Sequence, residues 1–405
     1  MNSQIRFSAL AMGLSLILAF AVGCGNNPDK AYERVMRAYH QRQPDWIGAS
    51  LYAQEFINRF PDDQRVRQMY DVLVNCHIHL EEWALARSVC EEVVRRFPDE
   101  ATRYGAELAR GTTFLGEGNY DEGLAALNQI VDSTASVMMR LRAIDYTASA
   151  YQLKASQPNA ATEVEWANAI SAYDRWLALA SIPETASAIS DITEACAGIL
   201  IRRAEAWRYM GDLVRCSQSY AEIANATQFP DLTRSEWSYV SAEYLKDHIQ
   251  KGDPDTPINE PDRQQLIAAY TLTVEQFPDT DFGIWARVEL CKLYKPIDPE
   301  KAESYLTEAV KRYQKYVDLY QNSNNPDERN AQRFYKTKIG DAYFAVEDLD
   351  RAEKAFLDLR NMFSDDQNLQ YCDMKLKFID EIRNRASGSP VSATAEVEAA
   401  TPAGQ

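Results

Sequence analysis

The sequence predicts an all-α protein, a tandem array of helix-turn-helix pairs winding into a right-handed solenoid. Apolar residues recur at i, i+3, i+4 and i+7 from Pro28 to about Arg385, and strand-like alternation is rare. Glycine and proline are scarce, 16 of each in 405 residues, which disfavours an all-β or loop-rich chain. Phe-Pro-Asp also returns again and again: RFPDD at 59–63, RFPDE at 96–100, QFPDL at 228–232, QFPDT at 276–280, and the variant MFSDD at 362–366.

The recurring motif has a mechanical reading. Proline disfavours helix at the residue before it and cannot continue the hydrogen-bond ladder, so a helix is expected to end near Phe60, Phe97, Phe229 and Phe277. The phenylalanine can pack back on its own helix pair, and the aspartate is placed to cap the next helix. In MFSDD, Ser364 stands in for proline.

The N-terminus reads separately. Arg6 is the only charge before an apolar run, SALAMGLSLILAFAVG, whose length suits a secretory leader and is short for a membrane span. The run stops at Ala21-Val22-Gly23-Cys24. Small residues before a cysteine at this point resemble the lipobox of bacterial lipoproteins, although that family prefers Leu where Ala21 stands. The resemblance implies a diacylglycerol on the Cys24 sulfur, removal of residues 1–23, and anchoring in the bilayer through Cys24. Gly25 follows, not the aspartate that usually retains such proteins in the inner membrane, so the expected location is the outer membrane, facing the periplasm. Asn27-Pro28 looks like a helix start, with Asn as N-cap and Pro at the first helical position, so residues 24–27 leave only a short tether. A formal net charge of −17, made more acidic by loss of Arg6, makes nucleic acid a poor partner.

From Pro28 to 364 the helices read as about seven or eight pairs. In 338–366, Gly340 and Tyr343 fall in the first helix, and Ala352 and Phe356 in the second. Ala86 and Pro98 mark a second copy, Gly111, Phe114 and Gly123 a third. Ala204, Trp207, Cys216 and Tyr220 mark a fourth, and Cys291, Tyr294 and Ala302 a fifth. Weaker copies cover 28–60, 137–182 and 233–278, the last two with longer loops at 154–163 and 251–262. This spacing of small and aromatic residues resembles the tetratricopeptide repeat, a helix pair of about 34 residues. Small residues are needed where two helices cross closely. Segment 365–385 reads as a capping helix with a charged outer face, and 386–405, without aromatics, reads as a disordered tail.

No catalytic constellation, metal site or cofactor motif emerges. GEGNYDEG (116–123) lacks the strand and the further glycines of a phosphate loop and falls on an inter-helix turn. His77 and His79 are two apart, which points them to different faces of a helix, and His40 and His248 are isolated. DPDTPINEPD (253–262) lacks the central glycine and the final glutamate of a calcium loop. Cys216 and Cys291 occupy small-residue positions, where a free thiol packs as a small apolar group. Cys76 and Cys90 lie on facing helices of one pair, which leaves a disulfide open there in an oxidising compartment.

In the repeat register, the concave groove is lined by the first helices of each pair. Its expected lining includes Gln68, Asp71 and Asn75, then Arg202, Glu205, Arg208 and Tyr209, then Lys338 and Asp341. Such a groove takes an extended peptide or a partner helix from another envelope protein. The lipobox, the immediate helix start and the tandem repeats ending in FPD together resemble the BamD family of outer-membrane lipoproteins, best over 28–130. That resemblance implies a non-enzymatic protein-interaction scaffold in β-barrel assembly. This chain carries more repeats and longer loops than that family usually does. A second reading is therefore a periplasmic adaptor that docks or regulates cell-wall enzymes or cargo.

Overall fold

Asn27 opens the first helix by accepting hydrogen bonds from the backbone N–H of Asp29 and Lys30, with Pro28 at the first helical position. From there the computed structural model describes residues 27–158, 161–183, 185, 192–363 and 366–386. The lipobox residues Ala21, Val22 and Gly23, the acceptor Cys24, residues Ser364 and Asp365, and the tail beyond 386 lie outside the described residues. Among the described residues every regular element is an α-helix, seventeen in all.

The chain divides into two units between Met210 and Gly211. The first contains α1 (Pro28–His40), α2 (Trp46–Arg59), α3 (Val66–His79), α4 (Trp83–Arg96), α5 (Glu100–Glu117), α6 (Tyr120–Val131), α7 (Val137–Ala155), α8 (Thr162–Ala180) and α9 (Ile192–Tyr209). The second contains α10 (Leu213–Asn225), α11 (Asp231–Gln250), α12 (Glu260–Gln276), α13 (Asp281–Tyr294), α14 (Pro299–Leu319), α15 (Pro326–Ala345), α16 (Leu349–Met362) and α17 (Asp366–Ala386). Within each unit every helix packs on the next in sequence. First helices of neighbouring pairs also touch, α5 on α7, α11 on α13 and α13 on α15. This connectivity is that of a tetratricopeptide array: each pair buries its apolar face only by stacking on its neighbours.

Small residues set the crossing inside each pair. A methyl group added to Gly340 would stand 2.6 Å from the Phe356 ring, and one added to Gly123 would stand 2.4 Å from a Leu115 methyl. At such crossings Ala86 and Ala352 are fully buried, and Cys291 and Ala302 nearly so, whereas Ala204 and Cys216 are fully buried each in its own unit. Phe356 is itself fully buried, so truncation to alanine costs about 3–5 kcal/mol.

The Phe-Pro-Asp motif ends helices as its chemistry requires. Phe60, Phe97 and Phe277 are the C-cap residues of α2, α4 and α12, each donating its N–H one turn back to Phe56, Val93 and Thr273. Helix α10 stops earlier, at Asn225, and Phe229 is buried beyond it. Among the described residues the capping role expected of the motif aspartates holds only at Asp99, which accepts from Thr102 N–H at 2.9 Å. After the first motif Asp63 instead binds the backbone and guanidinium of Arg65, and no side chain caps α3. Pro230 itself holds the cap position of α11, and Thr280 caps α13. At two of the motifs the proline carbonyl is fastened from the next pair: Pro61 O accepts from Arg96 of α4, and Pro278 O from Arg312 of α14 at 3.1 Å.

Four of the turns between successive helices share one feature of conformation. Glu81, Gly118, Gly211 and Glu347 all adopt positive φ between first and second helix. The following N–H reaches back to His77, Phe114 and Tyr343 in three of them, at 2.8–2.9 Å. Left-handed backbone is free for glycine and costs other residues about 1 kcal/mol. Replacing Glu347 (φ 61°) by glycine is therefore expected to stabilise the fold by ~0.5 kcal/mol after the unfolded-state entropy cost, and by valine to destabilise it by ~1 kcal/mol. Urea melts of the two variants test the pair of signs.

Candidate protein-interaction surfaces

Gln68, Asp71 and Asn75 stand at exposed positions one turn apart on α3. Tyr32 OH of α1 donates to Gln68 Oε1 at 3.1 Å, and Asn75 Nδ2 donates to Tyr39 OH, also of α1, at 3.2 Å. Asp71 lies between them, open to solvent but walled by protein. That surrounding mass raises its carboxyl above the ordinary value, with Arg67 pulling it down. This is a polar face that can accept hydrogen bonds from a peptide backbone.

On α9 the four expected groove residues divide into two roles. Arg202 is used internally, paired with Asp145 of α7 at 2.9 Å and lying over the Tyr173 ring. Glu205 holds the Arg208 guanidinium at 2.8 Å, Arg208 covers the Tyr209 ring at 4.6 Å, and Tyr209 stacks on Trp166 at 4.8 Å with planes 9° apart. Tyr209 remains 58 % exposed. It edges a recess of about 650 Å³ whose lining is uncharged, with Ser149, Gln152 and Leu153 from α7 and Thr162 and Trp166 from α8. A rigid aromatic with hydroxyls and an amide beside it suits a neutral peptide segment.

In the second unit, ion pairs join successive first helices. Lys246 of α11 meets Glu289 of α13 at 3.0 Å, Lys338 of α15 meets Asp281 of α13 at 3.6 Å, and Lys375 of α17 meets Asp341 of α15 at 3.0 Å. Tyr371 OH adds a hydrogen bond to Asp341 at 2.6 Å. Lys338 also lies against the Trp285 and Phe334 rings, at 4.9 and 5.2 Å. Lys338 and Asp341 are therefore held by neighbouring helices and bear on the spacing of the face. What the face presents is apolar: Phe334 on α15, and Met374, Phe378 and Ile382 on α17, all more than 40 % exposed.

Glu289, Lys246 and Glu243 did not stand out in the sequence. Glu289 is 4 % exposed. Burial alone would raise its carboxyl, but Lys292 and Lys246 outweigh this and hold it below the ordinary range. Tyr270 donates to Glu243, and burial, followed by the Glu243 and Glu289 charges, drives its hydroxyl well above the usual value. Two signals were visible, the charges themselves and the helical spacing. Their pairing was not, because the long loop before α12 separates Lys246 and Glu289 by 43 residues.

The remaining candidates resolve as structure. Cys76 and Cys90 are free, buried thiols, so the bridge left open between them is absent. Their surroundings differ: Asp45 bears on Cys76, and Glu107 and Arg110 on Cys90. Burial pushes them up to about 11 and about 12, far from reactive thiolates. His77 binds Glu82 at 2.6 Å, whereas His79 stacks on Trp46 at 4.0 Å, so the two point to different partners. Among the described residues no group of three or more His, Cys, Asp or Glu side chains is placed to hold a metal ion. In the 253–262 loop, Pro254 O accepts from Gln250 at 2.7 Å, and Asn259 caps α12.

No protein family matches the chain, and no curated protein matches it. Solved structures similar in part include the C-terminal part of a TPR repeat-containing protein from Cytophaga hutchinsonii, with 14% identity, 75% of this chain and 99% of that one covered, and a TM-score of 0.39. A tetratricopeptide repeat protein from Parabacteroides merdae has 12% identity, 77% and 98% coverage, and a TM-score of 0.32. The TPR domain of P58(IPK) has 13% identity, 89% and 99% coverage, and a TM-score of 0.25.

The buried cluster yields a test. Glu289→Ala leaves Lys246 and Lys292 facing a vacated site, at an expected cost of ~3 kcal/mol. Because the Glu289 carboxyl is depressed in the folded state, its contribution is present above the unfolded value and is lost as pH falls through the folded one. The difference between wild type and Glu289→Ala in denaturant melts should therefore shrink in acid below the usual carboxylate range.

Proposed function

We propose that the chain is a non-enzymatic protein-interaction scaffold, anchored to the outer membrane through a lipid on Cys24. The observation that carries the interaction role is Tyr209, an exposed aromatic stacked on Trp166 and in contact with Arg208 at the edge of an uncharged recess. An aromatic already held by its neighbours loses little freedom on binding, which favours such residues as anchors for a partner. The leader and the small residues before Cys24 support the anchor. The helix start beside it and the FPD-punctuated repeats support a BamD-like place in β-barrel assembly.

A photo-crosslinking residue at Tyr209, in cells expressing the full chain, is expected to capture a defined envelope protein. The same probe at Ile47, exposed on α2 away from the recess, is the control. Equal capture at both positions, or none at Tyr209, would remove the recess from the reading. Cys24→Ser should release the protein from membranes, and continued retention would end the lipoprotein assignment. Depletion should lower outer-membrane β-barrel levels. Normal levels with a crosslinked cell-wall enzyme would instead identify the protein as that enzyme's adaptor.

A further inference from the structure

The terminal helix α17 carries a second apolar surface on the side away from its own core. Cys372 and Ile379 are fully buried against α16. Met374, Phe378 and Ile382, spaced four apart, form a separate stripe and are 44, 46 and 41 % exposed. The stripe belongs to one face because residues at i, i+4 and i+8 stack along a helix. Its position is fixed by Tyr371 and Lys375, which tie α17 to Asp341, and by Arg383, which binds Asp350 at 2.6 Å and Glu353 at 2.8 Å on α16. The helix is therefore rigidly seated while three large apolar side chains face water.

The charges beside the stripe indicate what covers it. Lys377, 71 % exposed, and Glu381 stand 4.0 Å apart on one flank. If a second α17 lies antiparallel across the first, with Phe378 on the two-fold axis, Met374 meets Ile382 of the second copy, and Ile382 meets its Met374. On the flank, Lys377 faces Glu381 of the second copy and Glu381 faces its Lys377, since like flanks oppose each other in an antiparallel pair. Exposed Arg385 then comes over Tyr371 of the second copy, an arrangement suited to a cation–π contact. In this order of residues apolar meets apolar and each charge meets its opposite under a single two-fold operation, as a self-complementary interface requires. A parallel arrangement would carry the two charged flanks to opposite sides of the pair, so that neither Lys377 nor Glu381 would meet its opposite on the second copy.

From the stripe and its flanking charges we infer that α17 is a homodimerisation helix, pairing antiparallel with α17 of a second copy about Phe378. One helix of this length makes a modest interface, so the association is expected to be concentration-dependent. It is separate from the Tyr209 recess, which lies on the other unit.

Symmetry gives a direct test. A residue on a two-fold axis faces its own counterpart, so Phe378→Cys in the full chain should form a disulfide-linked dimer under mild oxidation. The wild-type chain under the same conditions is the baseline, as five of its six described cysteines are buried. Met374→Cys alone should crosslink poorly, and should crosslink well when mixed with Ile382→Cys. Sedimentation of the full chain in mild detergent should show dimer at high concentration. Phe378→Glu should weaken it at least tenfold, with its thermal midpoint unchanged because the side chain is exposed. Lys377→Glu should weaken it, and Lys377→Glu with Glu381→Lys should restore it. Efficient Met374–Met374 crosslinking without Phe378 crosslinking would overturn the antiparallel pairing. A monomer at all concentrations, or capture of a different protein by a photo-crosslinker at Phe378, would overturn the homodimer.

Discussion

Close helix crossing at small residues is the constraint on which the rest of the structure depends. Gly340 against Phe356 and Gly123 against Leu115 leave no room for a methyl group. Where glycine is absent, alanine or a buried thiol takes the place, as Ala86, Ala352 and Cys291 do. Cysteine serves here because it is small and apolar when buried. A bulky residue at any of these points would separate the two helices of a pair and so misalign the face on which the next pair packs. In a stacked array, local geometry is inherited by everything that follows.

That dependence explains the distribution of charge. A chain with 60 acidic and 43 basic residues repels itself, and the repulsion is offset where helices meet. In the second unit Lys246, Lys338 and Lys375 each reach an acidic residue on an adjacent first helix. Such pairs add little net stability when exposed. Of the three acidic partners Glu289, Asp281 and Asp341, Glu289 alone is deeply buried, and its energetic importance is correspondingly greater. The pairs also consume polar groups on the first-helix face, which leaves aromatic and aliphatic side chains as what that face offers a partner.

The helix pairs and their crossing residues were legible in the sequence because they depend on local spacing. The N-cap at Asn27 and the helix ends at Phe60, Phe97 and Phe277 follow from one or two residues each. The aspartate caps were over-generalised: whether Asp63 reaches a helix N–H or an arginine depends on the length of the connecting turn, which differs from copy to copy. The groove was harder still. Lys338 and Asp341 sit on α15 with their charges already engaged, which only the neighbouring helices reveal. On α17 the charged pattern suggested a cap and hid Met374, Phe378 and Ile382, because a helix with one buried face and one exposed apolar stripe has no single polar side.

The arginine bonds to the motif carbonyls have a consequence for how such a chain can change length. Arg96 reaches Pro61 across 35 residues, and Arg312 reaches Pro278 across 34. Each bond spans about one helix pair, running from the end of one second helix to the end of the previous one. It acts as a gauge of module length: a residue gained or lost within a second helix rotates the arginine away from the carbonyl it must meet. Insertions are tolerated instead in the turn between the helices of a pair, as at 251–259 between α11 and α12. The gauge thus permits growth by whole modules and by loops while opposing growth within helices, a rule that keeps a long repeat array in register as its sequence diverges.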